Sequence, residues 1–287
     1  MREIADGVYV ETAYHGANVS FVYTDEGAVL IDTPMQPREA WDWLGEVASR
    51  SNSRLAYLIN TDYHIDHVLG NCFYRAITIA HELTWRELRN YDEAYLQRQL
   101  GYFRERYVGW ETDLHKIRIV LPEVTVGESL TVYKGGREFQ IVHVGGHTPA
   151  TIAVYMPQER VLFSGDLVVS GQHPFLGHAN TEQWLAALER IRNTMPVDII
   201  VPGHGEPCGP EAIEEMHAYI AAMRERVYEH FQAGATRRET VDHVKMRDFY
   251  HIPEGERKAV ELRIRSSVER VYDEYKKAAE KKKRAKL

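Results

Sequence analysis

Short apolar runs of strand character, separated by turns, dominate the start of the chain. Residues 7–13 and 17–32 are such runs, and the second is broken at 25–27 by Asp-Glu-Gly, a composition typical of a hairpin turn. Residues 37–50 change to apolar steps of three and four, at Trp41, Leu44, Val47 and Ala48. The pattern predicts strands joined by a turn, then a helix with one apolar face, and then a further strand over residues 55–59.

A second helical pattern, from Glu82 to about Tyr107, is rich in large side chains. These are Trp85, Leu88, Tyr91, Tyr95, Leu100, Tyr102 and Phe103. We interpret residues 82–110 as helical and leave two roles open. The segment is either a helix pair packed on the core or an aromatic lid that shapes a pocket for a moderately apolar molecule.

Strand patterns return over residues 117–145 and continue in a hairpin that turns at Pro157 and Gln158. A helix over residues 181–195 and a strand over 197–203 complete the alternation of strands and helices. We therefore expect residues 1–210 to form one domain of the α/β (α+β) class.

Beyond Pro210 the apolar positions fall only at helical steps. One stripe consists of Ile213, Met216, Ile220, Met223, Val227 and Phe231, and Gly234 is placed to end that helix. A last helix, from about Glu256 to Glu280, carries Val260, Ile264, Val268, Val271 and Tyr275. Residues 211–287 are thus predicted to be a helical C-terminal region that packs on the α/β domain or mediates self-association as a homodimer.

The net charge of −7 is unevenly distributed along the 287 residues. Residues 276–287 carry seven Lys or Arg and one Glu, a net charge of +6, so the other 275 residues carry −13. This basic tail is either a site for nucleic acid or an anionic surface, or the solvated end of the last helix. An acidic body argues against nucleic acid as the main partner, and we expect a small-molecule substrate instead.

Cysteine content and the start of the chain bear on location. Cys72 and Cys208 are the only cysteines, too few for a disulfide framework, which indicates a reducing compartment. The start of the sequence has no basic-then-apolar leader pattern, and no apolar run reaches the length of about 18 residues that spans a membrane. These features predict a cytoplasmic protein that does not associate with membranes.

Residues 60–71 contain four side chains that can bind metal: Asp62, His64, Asp66 and His67. Imidazole and carboxylate groups suit zinc, iron or manganese. The cluster follows the predicted strand 55–59, and sites in α/β proteins tend to lie beyond the carboxyl ends of strands. The alternative is a polar loop with incidental histidines, which the rest of the chain makes less attractive.

Three more candidate ligands lie at the ends of predicted strands, next to small residues. His147 is found in Gly-Gly-His, Asp166 in Ser-Gly-Asp and His204 in Gly-His-Gly. Each short pattern is weak evidence by itself. Seven donors at strand ends would nevertheless converge on one edge of a sheet, so together they predict one metal centre.

The order of these residues resembles the metallo-β-lactamase superfamily, whose signature is H-x-H-x-D-H followed by a single His, an Asp and a last His. The resemblance covers residues 4–208 and implies a four-layer αββα sandwich, here with a C-terminal helical extension. It also implies a dinuclear site. The implied ligands are Asp62, His64 and His147 for the first ion, Asp66, His67 and His204 for the second, and Asp166 for both. Asp32 and the pair Gly70–Asn71 match positions where the family has residues that support the ligands.

Asp62 departs from the family motif, which has histidine there. A carboxylate can bind zinc but reaches less far than imidazole, so Asp62 binds after a small backbone shift, binds through water, or orients a neighbouring ligand. We predict direct binding. The additional negative charge weakens the Lewis acidity of the two ions. We expect two zinc ions, and the added oxygen donor makes iron or manganese more plausible at the site containing Asp62.

The resemblance implies an enzyme that hydrolyses its substrate with a hydroxide bridging two metal ions, with Asp66 as the catalytic residue that steers this hydroxide. We therefore predict a metallo-hydrolase of a small ester, lactone, thioester or β-lactam-like amide. His173 and His178 lie in the loop after Asp166. Each either contacts substrate or is a loop histidine bonded to the backbone.

Two other functions stay open. One is an iron-dependent oxidoreductase of the same fold. Against it, the chain shows no appended flavin domain, and Asp62 removes one histidine of a dioxygenase-type site. The other is a metal-binding protein with decayed catalysis, against which stands the retention of six of the seven ligand types.

Overall fold

Two β-sheets packed face to face form the centre of the protein. The computed structural model describes residues 1–51, 54–106 and 114–285. Within these residues the first sheet has seven strands, which lie side by side in chain order. They are β1 (Arg2–Ala5), β2 (Val8–Glu11), β3 (Val19–Val22), β4 (Ala28–Ile31), β5 (Leu55–Ile59), β6 (Ile77–His81) and β7 (Val124–Val126). Pairing is antiparallel from β1 to β4 and parallel from β4 to β7.

The second sheet has five strands in the described ranges, in the spatial order β12-β11-β10-β9-β8. They are β8 (Ser129–Lys134), β9 (Arg137–His143), β10 (Ile152–Met156), β11 (Val161–Val169) and β12 (Ile199–His204). The pairs from β8 to β11 are antiparallel, whereas β12 returns by a crossover and pairs parallel with β11.

Helices cover the outer faces of both sheets. They are α1 (Pro37–Arg50), α2 (Ile65–Val68), α3 (Glu82–Leu88), α4 (Glu93–Arg106), α5 (Thr181–Thr194), α6 (Glu211–Gln232), α7 (Arg237–His243) and α8 (Arg257–Arg284). In the part of the chain that the structure describes, no helix is both long enough and apolar enough to cross a membrane.

Alternation of side chains along the strands divides the apolar core into layers. Val29 and Ile31 of β4 belong to the core between the two sheets. Leu30, between them, joins a second core with Trp43 of α1. In the second sheet, Tyr155 of β10 faces outward into a third core with α5, α6 and α8. Successive strand residues point to opposite faces of a sheet. One face of each sheet therefore packs against the other sheet, and the opposite face packs against helices. The predicted four-layer αββα sandwich is confirmed.

Helix α1 has the predicted bounds, but its buried face differs from the predicted one. Trp43 and Val47 are buried, whereas Trp41 is 44% exposed and lies against Phe73. Trp41 therefore does not lie on the buried face of the helix. Trp41 and Trp43 are two positions apart, so they cannot lie on the same face of a helix. An apolar stripe that starts from either tryptophan fits the 3.6-residue period, so the sequence does not show which of the two is buried.

The segment predicted as helical over residues 82–110 contains two helices, α3 and α4, and residues 107–110 lie outside the described ranges. Leu96, Leu100 and Phe103 of α4 pack against Leu69, directly beyond α2. This contact supports the interpretation as a helix pair on the core. The lid role stays a prediction.

The C-terminal region packs on the second sheet and α5. The apolar stripes of α6 and α8 enter the same core as β10 and β11. Helix α6 ends as predicted before Gly234, which has a φ of +79°. Helix α8 runs to Arg284, beyond the predicted end at Glu280. Both stripes thus serve packing on the body, and the homodimer stays a prediction.

Candidate metal centre

The predicted ligands meet where strands of both sheets end. Asp62 follows β5 and His147 follows β9. Asp166 lies within β11, and His204 is the last residue of β12, which runs parallel to β11. The carboxyl ends of parallel strands form the usual location of sites in α/β proteins. The convergence expected from the sequence is therefore present in the structure.

Asp62, His64 and His147 form what we call the first ligand group, in which one donor atom of each residue lies within 4.8 Å of the others. His64 Nδ1 is 3.0 Å from His147 Nε2 and 3.8 Å from Asp62 Oδ1. Two donors bound to one tetrahedral zinc ion lie about 3.3 Å apart, given Zn–N and Zn–O distances near 2 Å. The spacing suits donors that share one ion.

Asp66, His67 and His204 form the second ligand group, with the same limit of 4.8 Å between donor atoms. The single turn of α2 presents Asp66 and His67 as neighbours, and β12 brings in His204 from the other sheet. His204 Nε2 lies 3.3 Å from Asp66 Oδ2. This group also has the separation expected around one ion.

The Asp166 carboxylate lies between the two groups. Its Oδ2 is 3.3 Å from His147 Nε2 of the first group. Its Oδ1 is 3.4 Å from His204 Nε2 and 3.5 Å from His67 Nε2 of the second. A Cβ added to Gly203 would collide with Asp166 Oδ1, so the close approach of β12 to β11 requires glycine there. Each oxygen of this side chain thus faces a different ligand group.

The ligand atoms are arranged as metal donors and are poorly satisfied by hydrogen bonds to one another. Among the described residues, His67 Nε2 and Asp166 Oδ1 are buried and have no hydrogen-bond partner. Buried polar atoms are nearly always paired, so two unpaired atoms that face each other indicate a missing group between them. In addition, His64 and His147 point ring nitrogens at each other. Four imidazoles and three carboxylates are a donor set suited to divalent cations.

The histidines of the two groups differ in their electrostatic surroundings. Burial lowers the pKa of His147 to about 4, although Asp166 acts in the opposite direction. Burial also disfavours the charged form of His204, but Asp166 and Asp66 override it and raise the pKa of His204 to about 10. The carboxylates thus favour the protonated form of His204, whereas His147 is neutral near pH 7.

Asp62 is fully buried, and all of its acceptor sites are in use. Its Oδ1 accepts the N–H groups of Tyr63 at 2.6 Å and His64 at 3.1 Å. Its Oδ2 accepts the hydroxyls of Thr148 at 2.9 Å and Thr151 at 2.7 Å. A carboxylate offers about four lone-pair sites. Direct binding of a metal by Asp62 therefore requires one of these donors to move, as the predicted backbone shift would allow.

Asp32 orients His67 from the edge of the first sheet. His67 Nδ1 donates to Asp32 Oδ2 at 2.8 Å, which leaves His67 Nε2 to face Asp166. Asp32 also accepts the N–H and hydroxyl of Thr61. Its backbone is left-handed, with a φ of +56°, a conformation that Asp and Asn tolerate better than most residues. The supporting role that the resemblance implied for Asp32 thus has a physical basis.

The pair Gly70–Asn71 secures the segment behind α2. A Cβ added to Gly70 would collide with the Pro34 carbonyl. The Asn71 amide group donates to Asn60 Oδ1 at 2.8 Å, and the Asn60 amide group donates to the His67 carbonyl at 3.0 Å. These contacts fix the turn that carries the second ligand group to the end of β5.

The two loop histidines have different surroundings. His178 is exposed, and its Nδ1 lies 2.8 Å from His64 Nε2. His173 is buried, with Nδ1 3.0 Å from the Tyr219 hydroxyl and Nε2 3.2 Å from the Tyr250 carbonyl. The structure thus brings His178 to the first ligand group. The contacts of His173 are those of an interior residue and give no support to a substrate role.

The cysteines have the properties of inert thiols. Burial raises the pKa of Cys72 and raises that of Cys208 to about 11. A thiol must be deprotonated to act as a nucleophile. Neither cysteine is therefore suited to catalysis at neutral pH.

Three residues at the site were missed by the sequence argument. Thr148 and Thr151 bind Asp62, and the ring of Phe175 lies 6.0 Å from that of His64 and 6.4 Å from that of His147. Thr148 follows His147 directly, but nothing in this local pattern shows that it or Thr151 bonds to Asp62, which lies 86 and 89 residues away from them. Nothing in the local pattern distinguishes Phe175 from a core residue.

Comparisons with known proteins agree with this geometry. The family model described as "Metallo-beta-lactamase superfamily" matches residues 14–204, a range that contains both ligand groups and Asp166. A metallo-beta-lactamase type 2 from Elizabethkingia meningoseptica is 22% identical over 241 residues, which are 79% of this chain and 86% of that protein. The acyl-coenzyme A thioesterase MBLAC2 of Bos taurus is 23% identical over 231 residues, 74% of this chain and 83% of that protein.

Among solved structures, the stereoselective inverting sec-alkylsulfatase Pisa1 from Pseudomonas sp. matches with a TM-score of 0.75 at 16% sequence identity. The match covers 95% of this chain and 49% of that one. At this identity the likeness establishes the fold alone.

Proposed function

Because the chain belongs to the metallo-β-lactamase superfamily, we propose that it is a metal-dependent hydrolase of a small ester, lactone, thioester or amide. The observation that carries the proposal is the Asp166 carboxylate, which faces one ligand group with Oδ2 and the other with Oδ1. A shared carboxylate places two cations as close neighbours, the arrangement that dinuclear hydrolases use.

The ligand assignment follows the two groups. The first ion would be held by Asp62, His64 and His147, the second by Asp66, His67 and His204, and Asp166 would serve both. Asp62 would bind through an oxygen that one of its present hydrogen-bond donors, such as the N–H of Tyr63 or His64, releases. Zinc is the first ion to test. Iron and manganese should be tested as well, because Asp62 adds an oxygen donor to the first ligand group.

Two divalent cations, when bound, supply Lewis acidity and lower the pKa of water at the site. Asp66 is the proposed catalytic residue, because its side chain is 26% exposed and therefore reachable by substrate and water. Burial disfavours its ionised form, but the hydrogen bond from His204 and the charge of His67 hold the pKa of Asp66 well below its usual range. As an anion at neutral pH, Asp66 can accept a hydrogen bond from an attacking water and orient it, whereas its low pKa makes it a weak base toward the proton.

The surroundings of His64 suggest how a substrate is received. The rings of Tyr63, Phe175 and His178 lie 5.2, 6.0 and 5.0 Å from that of His64. Two aromatic side chains beside an exposed imidazole suit a substrate with an apolar portion and a polar reacting group. The thioesterase and the β-lactamase among the relatives support carbonyl substrates, and the alkylsulfatase fold adds alkyl sulfates to those worth testing.

The test is metal analysis of the purified protein followed by a substrate panel. We expect two equivalents of a divalent ion per chain and hydrolysis of at least one ester, lactone, thioester, β-lactam or alkyl sulfate. Activity should disappear with a chelator and return with the ion. Near-stoichiometric iron together with oxygen consumption would instead indicate the oxidoreductase. A protein that binds no metal, even when metal is supplied, would contradict the proposal.

A further inference from the structure

Helix α8 uses its polar residues to hold the segment between β11 and α5. We call residues 172–181 the histidine loop. The polar stripe of α8 that touches it consists of Arg263, Ser267, Arg270 and Glu274. Arg263 Nη1 donates to the His173 carbonyl at 3.0 Å, and the Leu176 N–H donates to Ser267 Oγ at 2.9 Å. Steps of three and four place these side chains on one helix face.

The second half of the stripe holds the far end of the same loop. Arg270 Nε donates to the Ala179 carbonyl at 2.6 Å, and the Thr181 N–H donates to Glu274 Oε1 at 2.9 Å. Thr181 is the first residue of α5 and is fully buried. The loop is therefore attached to α8 at four successive points, a continuous attachment along the helix.

Packing of α8 does not require this polar stripe. Val260, Ile264, Val268 and Val271 already bury an apolar face of the helix in the core shared with α5 and α6. A buried serine that accepts a loop N–H adds little apolar surface to that burial. The polar stripe thus adds directional hydrogen bonds to the histidine loop, whose Leu176 and Ala179 also pack in the shared core.

The histidine loop delivers His178 to the first ligand group. His178 is the residue before Ala179, whose carbonyl Arg270 holds. Its Nδ1 lies 2.8 Å from His64 Nε2, and the two rings are 5.0 Å apart. The opposite nitrogen of His64, Nδ1, faces Asp62 and His147. His178 therefore contacts the side of His64 that points away from the other ligands.

This geometry has a consequence for the tautomer of His64. A histidine binds metal through an unprotonated nitrogen, so Nδ1 must be free and the proton must be on Nε2. Nε2–H then donates to His178 Nδ1. Metal-binding histidines generally have such a partner on the second nitrogen, and loss of the partner costs about 10- to 100-fold in metal affinity. For His67 that partner is Asp32.

We propose that His178 is a positioning residue for His64 and that the polar stripe of α8 holds it there, so that the C-terminal helix is part of the apparatus of the metal centre. This rests on the proposed function only in requiring that His64 binds an ion. In this proposal His178 orients another protein side chain, His64, and does not act by contacting substrate. Helix α8 then does more than pack on the core.

The experiment compares metal affinity in two pairs of variants, measured by competition with a chromophoric chelator. His178→Leu removes the acceptor, whereas His178→Asn retains an acceptor near the position of Nδ1. Because the bond is exposed to solvent, we expect the weaker of the known effects, about a tenfold loss of affinity for one of the two ions in His178→Leu. His178→Asn should restore most of it. The cobalt-substituted protein should show an altered visible spectrum only in His178→Leu.

The second pair tests the helix. Arg270→Met releases the Ala179 carbonyl and should weaken binding of the same ion by about threefold, as a partial loss of the His178 contact. Arg265→Met makes the same change on α8 at an exposed residue whose ion pair is with Glu269 of the same helix. We expect it to bind both ions with wild-type affinity. The melting temperature of each metal-free variant shows whether a loss of metal affinity comes from unfolding. Recovery of affinity in His178→Asn shows that the loss in His178→Leu comes from the missing acceptor.

The outcomes separate this proposal from the proposed function. Wild-type affinity and an unchanged cobalt spectrum in His178→Leu would overturn the positioning role while leaving the hydrolase intact. A loss that His178→Asn does not rescue would also overturn it. A wild-type protein that binds two ions but hydrolyses nothing would remove the proposed activity and leave the positioning role testable and intact. Failure of the wild type to bind metal would overturn both.

Discussion

The two ligand groups are held in place by different parts of the molecule. In the second group, His67 is anchored by Asp32, and both side chains are buried at the edge of the first sheet. In the first group, His64 is contacted by an exposed histidine, His178, that lies 114 residues farther along the chain. One anchor is a buried carboxylate of the α/β body, and the other is a solvent-exposed imidazole on a loop attached to α8. The two ions should therefore respond to different mutations.

The electrostatic environment of the histidines also differs between the two groups. The pKa of His204 in the second group is raised to about 10, because Asp166 and Asp66 outweigh the effect of burial. The pKa of His147 in the first group is lowered to about 4, because burial there outweighs the carboxylates. A histidine must lose its proton before it binds a metal ion, so cation binding at His204 competes with a proton, whereas His147 is already neutral near pH 7.

Replacing the residue that connects the groups should have the largest effect. In Asp166→Asn, the amide retains the shape, but only its oxygen can bind a metal, so one group loses a ligand. We expect at most one tightly bound ion and a loss of kcat/KM of more than about 100-fold, the upper end for residues that only support a ligand. Metal analysis measures the number of bound ions, and kinetics with the best substrate of the panel measure the loss of kcat/KM.

Asp198→Asn is the matched control for this change, because it removes a surface carboxylate that pairs with Arg160 at 2.8 Å. It should retain two ions and full activity. Two tightly bound ions in Asp166→Asn would show that Asp166 does not bridge the groups.

A change at Asp62 should affect the first group alone. Asn at this position can keep the hydrogen bonds, since its oxygen accepts the N–H groups of Tyr63 and His64 and its amide donates to a threonine hydroxyl. We expect Asp62→Asn to fold normally and to lose about 100-fold or more in affinity for one ion, the upper end for residues that only support a ligand. Isothermal titration of the metal-free protein with zinc resolves the two binding steps.

Asp62→Ala separates the structural contribution of this carboxylate from its contribution to metal binding. It leaves two hydroxyls and two N–H groups without their buried acceptor and should lower the free energy of unfolding of the metal-free protein by at least about 2 kcal/mol. A loss of only about tenfold in Asp62→Asn would indicate an orienting role, and unchanged affinity for both ions would refute direct binding.

The corresponding change in the second group is Asp32→Asn. Asparagine tolerates the left-handed backbone of this position, so the substitution removes charge without adding strain. The bond to His67 becomes neutral and weaker, and we expect about a tenfold loss of affinity for the ion that Asp62→Asn leaves unaffected. The same titration shows which step is weakened. If both variants weakened the same step, the assignment of separate anchors to the two groups would be wrong.

The convergence of the candidate ligands could be predicted from the sequence because most of them follow strands, and strands have a local period. Their division between two ions came from the family resemblance, and the structure brings the donor atoms of Asp62, His64 and His147 within 4.8 Å of one another. The bounds of α1 and α5 were also close, since both helices have strong apolar stripes.

The supports of the ligands could not be predicted, for a physical reason. The bond of Thr148 to Asp62 spans 86 residues, and that of His178 to His64 spans 114. Such contacts depend on tertiary structure and leave no periodic signal. On a helical pattern, Ser267 and Arg270 resemble ordinary surface residues, although both hold the histidine loop. His173 and His178 share that loop and could not be told apart until their burial was known.

A pair of stacked histidines beside the first group gives the smallest expected effect. His81 and His143 lie with ring centroids 4.0 Å apart and planes at 18°. His143 Nε2 donates to the Pro149 carbonyl, within the turn that carries His147. Burial, together with His143, lowers the pKa of His81 to about 4, although the charges of Glu82 and Glu128 act in the opposite direction. The second group has no corresponding pair among its described contacts.

A histidine whose folded pKa lies below its unfolded value near 6.5 makes stability depend on pH in a definite direction. As the pH falls from about 6.5 toward 4, the unfolded chain binds a proton at His81 that the folded protein excludes, so the free energy of unfolding decreases. Between pH 7.5 and pH 5.5 this amounts to about 1 kcal/mol. His81→Asn removes the titrating group while an Asn side chain can still cap α3, as His81 does through the Leu83 N–H. Urea unfolding of the metal-free proteins at the two pH values should show a smaller difference for His81→Asn by that amount, and an equal difference would mean that the imidazole of His81 titrates normally in the folded state.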